Sequence, residues 1–107
     1  MSPTDQLNKL KIAQGFVHDI LLAPIYDIAV QTSVDRLKSL STRLQNDVFV
    51  KREDEQPVHS FKLRGAYNKL ANLTKSQLNC GVVAASAGNH AQGLALSAKT
   101  LGVNATI

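Results

Sequence analysis

Two short stretches of this 107-residue chain carry residue types that do chemistry. The first is Ser60-Phe61-Lys62-Leu63-Arg64-Gly65-Ala66. Lys62 falls at the start of an expected helix, where the dipole favours anions rather than an ammonium. It stands between Phe61 and Leu63, which could exclude water, and has Arg64 as a positive neighbour; an apolar setting and a nearby cation are what make a lysine amine nucleophilic. From spacing alone a snorkelling surface lysine is the simpler reading, and only the surrounding motif reverses it. The second stretch is Ser86-Ala87-Gly88-Asn89-His90, expected between a buried strand and a helix. Unpaired N–H groups at a helix start attract a carboxylate or phosphate, and small residues let it approach. An ordinary Gly- and Asn-rich turn is the competing reading.

Several other chemistries are excluded or unsupported. Gly88 and Gly93 have the spacing of a P-loop's glycines, yet Leu94-Ala95 follow where Lys and Ser/Thr are required. His90 is given no proton-transfer role, since no carboxylate or cysteine motif is aligned with it, and His18 and His59 are equally ambiguous. Cys80 is the single cysteine, so neither an intrachain disulfide nor a cysteine-based metal site can form; it reads as a small buried or loop residue.

The elements that must position these residues follow from periodicity. Leu7, Leu10, Ala13, Val17, Ile20 and Leu21 predict a helix over 4–22 with one stripe against a core; Gly15 weakens it and Pro24 ends it. Val34, Leu37, Leu40 and Leu44 predict a second helix over 34–44 capped by Thr32 or Ser33. Val48-Phe49-Val50 reads as a short strand running into the charged Lys51-Arg52-Glu53-Asp54-Glu55. Ser60 should cap a helix that buries Leu63, Ala66, Tyr67, Leu70 and Ala71. Val82-Val83-Ala84-Ala85 is an apolar run suited to a parallel strand. A helix with Ala91, Leu94, Ala95 and Ala98 inward and Gly102 at its end follows, and 103–107 begins another strand. This βαβαβ order predicts an α/β fold, a three-layer parallel sheet with flanking helices. It divides the chain into an N-terminal helical segment, 1–46, and the incomplete start of a catalytic domain, 47–107.

Hydrophobic residues make up 44% and charged residues 19%, enough apolar side chain for a core. Lys and Arg total 12 against 8 acidic residues but never cluster, which argues against nucleic acid. No apolar run approaches the roughly 20 residues that span a bilayer. The first residues lack the pattern of a secretory signal, so a cytoplasmic protein is expected.

Together, Val50-Lys51-Arg52-Glu53-Asp54, the stretch from Gln56-Pro57-Val58-His59 through Ala66, and Ala85 to Gly93 resemble the biosynthetic threonine dehydratase (threonine ammonia-lyase) family. The resemblance runs from about Leu22 to Ile107, with serine racemase and serine dehydratase as more distant relatives. It implies the N-terminal portion of a tryptophan-synthase-β-like (type II) fold that uses pyridoxal 5′-phosphate. Lys62 would carry the cofactor as an imine and act as base once substrate displaces it. Asn89 would hydrogen-bond the 3′ oxygen of the cofactor ring, and Phe61 would pack against that ring. Ser86, Gly88, Asn89 and His90 would surround the substrate carboxylate. Thr32-Ser33-Val34 departs from the usual Thr-Pro-Leu, a change that touches capping more than chemistry.

In the family, the glycine-rich loop for the cofactor phosphate, the polar residue facing the pyridine nitrogen and a regulatory domain lie beyond Ile107. The expectation is therefore a fragment of a lyase that deaminates L-threonine, or L-serine, as a homo-oligomer when full length. A non-catalytic interaction module and a serine dehydratase or racemase relative are the alternatives.

Overall fold

The computed structural model describes residues 2–107. Helix α1 (Pro3–Leu22) is opened by a reciprocal cap: Ser2 accepts from the Asp5 N–H at 3.2 Å, and the Asp5 carboxylate accepts from the Ser2 N–H at 3.1 Å. Gly15 does not interrupt it. The stripe expected to meet a core is instead open to solvent, with Leu10 56%, Val17 55%, Ile20 71% and Leu21 77% exposed. The Cα radius of gyration is 18.4 Å, against about 13 Å for a compact chain of this length, consistent with a helix that projects from the packed part.

The helix expected over 34–44 divides in two. Val34–Arg36 forms strand β1, and only Lys38–Leu44 forms helix α2. β1 pairs antiparallel with β2 (Phe49–Lys51), Asp35 opposite Val50, and the Leu37 N–H continues the ladder to the Val48 carbonyl at 2.9 Å. Backbone pairing with a distant strand here overrides an apolar spacing that fits a helix equally well. Thr32 caps no helix: its hydroxyl donates to Glu53 Oε1 at 3.1 Å.

Helix α3 (Lys62–Ala71) buries Leu63, Ala66, Tyr67 and Leu70. Its cap position is Phe61 rather than Ser60, although Ser60 Oγ accepts from the Lys62 N–H at 3.2 Å. Ala71 is only half-buried. The short helix α4 (Lys75–Asn79) is an addition to the expected elements, signalled by Thr74 and Gln77 closing a capping box, and Cys80 sits exposed at its end. Strands β3 (Val82–Val83) and β4 (Ala105–Thr106) pair in parallel, with helix α5 (Asn89–Leu101) as their crossover. Gly102, at φ 67°, ends α5 as expected.

The α/β class therefore holds, but the strands form two two-stranded sheets, and β2 joins β1 rather than β3. The core lies where α3 meets α5: Leu70, Leu94 and Ala98, covered by Val82, Ala84, Leu101 and Val103. Ala95, expected inward, is exposed; the buried face of α5 passes through Gly93, Leu94, Ser97 and Ala98. The two small positions face the helix crossing. Burying Leu70 and Leu94 contributes about 1.5–3 kcal/mol each.

Candidate functional site: a lysine at a helix crossing

Lys62 opens α3 and lies one and two turns from Gly65 and Lys69 on a face that walls an open cleft of about 550 Å³. Phe61, Val82, Val83, Ala84 and His90 also line it, so the cleft is mainly apolar with amines on one wall. Lys62 Nζ stands 5.3 Å from the centre of the Phe61 ring, a cation–π contact worth about 0.5–1 kcal/mol at an exposed site. Phe61 is 58% exposed and Lys62 is exposed, whereas Leu63 is fully buried beneath the helix. The water-excluding pair expected around Lys62 is thus replaced by one ring that steers the amine. Arg64 does not oppose Lys62 as a free cation either, because its guanidinium is paired with Glu53.

The second stretch enters α5. Gly88 caps the helix without a side-chain acceptor, and Ser86 Oγ accepts from the Gly88 N–H at 3.4 Å. A Cβ at Gly88 would meet nothing within 4 Å, so the space ahead of the helix is open. Asn89 and His90 are exposed on the first turn. Phe61, Lys62 and His90 share the cleft, while Ser86, Gly88 and Asn89 lie at the turn outside its lining.

The two stretches are joined through Gly93. A Cβ there would stand 3.1 Å from Lys62 C and from Leu63 N, so α5 crosses the first turn of α3 backbone to backbone. Ser97, fully buried, donates to the Gly93 carbonyl at 2.6 Å, which disposes of its hydroxyl inside the crossing. The glycine-rich motif alone does not give Gly93 this role; a glycine four residues before a serine on one helix face is the signal for it.

A polar clamp lies on the other side of α3. Arg64 Nε and Nη2 donate to the Glu53 carboxylate at 2.8 and 2.9 Å, and Gln56 Nε2 approaches it at 3.4 Å. Gln56 is fully buried and pairs with the Val30 backbone in both directions, accepting at 3.0 Å and donating at 2.8 Å. The Arg64 guanidinium holds the Glu53 carboxyl below its usual range. His59, at φ 52°, turns the chain toward Lys62, with its N–H bonded to the Gln56 carbonyl at 2.7 Å.

With this geometry in view, known proteins supply the family. The sequence profile described as "Pyridoxal-phosphate dependent enzyme" matches residues 25–107. The chain belongs to that family. It is 54% identical over 107 residues to the biosynthetic L-threonine dehydratase IlvA of Escherichia coli (strain K12), covering all of this chain and 21% of that protein. Against the protein of the same name from Burkholderia multivorans it is 54% identical over 95 residues, 89% of this chain and 19% of that one. The chain thus spans about a fifth of the length of these relatives.

Among solved structures, the processed form of threonine deaminase isoform 2 from Solanum lycopersicum superposes with TM-score 0.80 at 44% identity. That match covers 97% of this chain and 27% of the other. Maize serine racemase superposes with TM-score 0.74 at 37% identity, over 78% of this chain and 26% of its own. The fold of this pyridoxal-phosphate-dependent family is therefore the frame in which Lys62 and α5 are set.

Proposed function

We propose that this chain supplies the lysine-bearing part of a pyridoxal-phosphate-dependent lyase that deaminates L-threonine to 2-oxobutanoate and ammonia, on the route to isoleucine. The observation that carries the reading is the crossing at Gly93, which sets Lys62 beside the start of α5. The residues present fit the cofactor and its substrate in their donor chemistry: a primary amine on an apolar cleft for the cofactor's aldehyde, and an uncapped helix start with open space ahead of it for the substrate's carboxylate.

Lys62 would hold the cofactor covalently, with Phe61 against its ring and Asn89 donating to its 3′ oxygen. Bound there, the cofactor supplies an electron sink for loss of the substrate's α proton. Lys62 Nζ, freed when the substrate amine takes its place, would accept that proton. Ser86, Gly88, Asn89 and His90 would receive the substrate carboxylate through the N–H groups and polar side chains of the α5 turn. In this reading residues 47–107 carry the chemistry and residues 1–46 brace it, since β1 and Val30 are bonded to β2 and Gln56.

Action on L-serine, by dehydration or racemisation, is the second reading, favoured by the likeness to the serine racemases of maize and Dictyostelium discoideum, the latter at 32% identity. We further propose a cytoplasmic homo-oligomer as the full-length form; separately, no described helix is long and apolar enough to cross a membrane. The test uses the E. coli relative with this chain in place of its own matching 107 residues. Threonine turnover exceeding serine turnover, and lost in Lys62→Ala, is the expected result; serine racemisation without threonine deamination would overturn the assignment in favour of the second reading.

A further inference from the structure

We propose that Glu53 is a positioning residue for Lys62: its carboxylate, clamped by Arg64, fixes the first turn of α3 against the segment that follows β2. The proposal rests on the reading of Lys62 as the cofactor lysine.

Glu53 spends its lone pairs inside the protein. Its carboxylate receives Arg64 twice, at 2.8 and 2.9 Å, Thr32 Oγ1 at 3.1 Å and Gln56 Nε2 at 3.4 Å. A carboxylate has about four acceptor sites, so none is left for a substrate or a water. An acidic side chain nine residues before the lysine is thereby removed as a general base and becomes a structural anchor. The pair is bidentate, and its side chains are only 22% and 19% exposed, which separates it from flexible surface pairs. It contrasts with Arg36 and Asp47, 48% and 68% exposed.

The anchor acts on Lys62 because Arg64 and Lys62 share one helical turn. That turn has no side-chain cap at Phe61. It is held from one side by the Gly93 backbone and from the other by Arg64. Glu53 is itself immobilised by Thr32 and by Gln56, whose amide is spliced into the Val30 backbone. Releasing Arg64 leaves the first turn held only at its start, by the Gly93 contact and the Ser60 Oγ bond to the Lys62 N–H, so that it can pivot about Gly93 and swing the Lys62 amine along the cleft. Misplacement of about 1 Å costs on the order of 100-fold in rate.

The experiment again uses the E. coli relative carrying this chain, with Glu53→Gln, which is isosteric, Arg64→Lys, which keeps the charge but loses the bidentate fork, and the double variant. Three quantities are read: kcat and KM for threonine, the absorption band of the bound cofactor, and Tm. Expected are a fall in kcat of roughly 10- to 100-fold with KM changed less than threefold, a shifted cofactor band, and a double variant no worse than either single, because the two residues act as a unit. Unchanged kcat with lowered Tm would overturn the proposal, as would additive losses. Failure of both single variants to fold would also overturn it, making the pair a requirement of the fold rather than a control on Lys62. Lys62→Ala runs in parallel: if it keeps cofactor band and turnover, the reading of Lys62 falls; if it loses both while the Glu53 and Arg64 variants match the parent, the positioning proposal alone falls.

Discussion

Gly93 and Lys62 meet without an intervening side chain: a Cβ on Gly93 would lie 3.1 Å from the Lys62 carbonyl carbon and 3.2 Å from its oxygen. Those atoms are backbone and cannot rotate away, so Gly93→Ala must separate α3 from α5. Overpacking costs about 1–3 kcal/mol and the gain in helix propensity returns about 1, which predicts a net loss of up to about 2 kcal/mol. Urea unfolding of the two forms reads it; a stabilised Gly93→Ala would mean that the helices cross more loosely.

Gln56 is a glutamine used as a strand. Fully buried and bonded both ways to Val30, it leaves an N–H and a carbonyl unsatisfied when replaced by Leu. Gln56→Leu is expected to cost about 1–3 kcal/mol. Faster amide exchange at Val30 should accompany the loss, measured by hydrogen exchange.

Stability should fall in acid through Glu53. Its folded pKa lies below the unfolded value, so its contribution is present above an unfolded pKa of about 4.3 and is lost as pH falls through the folded value. Asp54, held low by Arg52, acts in the same direction. Glu53→Gln should therefore flatten, without abolishing, the decline in Tm below about pH 4.3. Tyr67 runs the other way: burial raises its pKa, and its contribution is present below about pH 10 and lost as pH rises through the folded value. Tyr67→Phe should remove that alkaline decline.

The contrast between these residues says what a sequence makes legible. The placement of Phe61 and Lys62 at a helix start and of Ser86 to His90 at the entry to α5 is readable, because a strand end, a helix start and a glycine-rich turn are local patterns. The segment 34–36 is not, since Val34, Leu37 and Leu40 fit a helix as well as a strand and only the partner Phe49–Lys51 decides. Apolar periodicity likewise predicts a buried stripe on α1, but burial needs a partner, and among the described residues Leu10, Val17, Ile20 and Leu21 stay exposed. Glu53 and Gln56 carry no sequence signal of their roles, and Gly93 only its spacing to Ser97, because each acts through a residue distant in sequence.

Taken alone, the 107 residues should show no threonine deaminase activity even with excess pyridoxal phosphate. The α5 start is taken by the substrate carboxylate in the proposed reading, and a phosphate dianion needs several convergent donors of its own. Val83, 81% exposed on β3, and the open stripe of α1 predict self-association, visible by light scattering. Monomeric, active protein would contradict both.

The most direct measurement is the site of the cofactor's attachment. The E. coli relative carrying this chain is incubated with pyridoxal phosphate, reduced with borohydride, digested, and its labelled peptide sequenced by mass spectrometry. Lys69 lines the same cleft seven residues further along α3 and is an internal control for a merely accessible amine. The phosphopyridoxyl mass is expected on Lys62, and its loss in Lys62→Ala. A label on Lys69, or one spread over several lysines with turnover retained in Lys62→Ala, would contradict it.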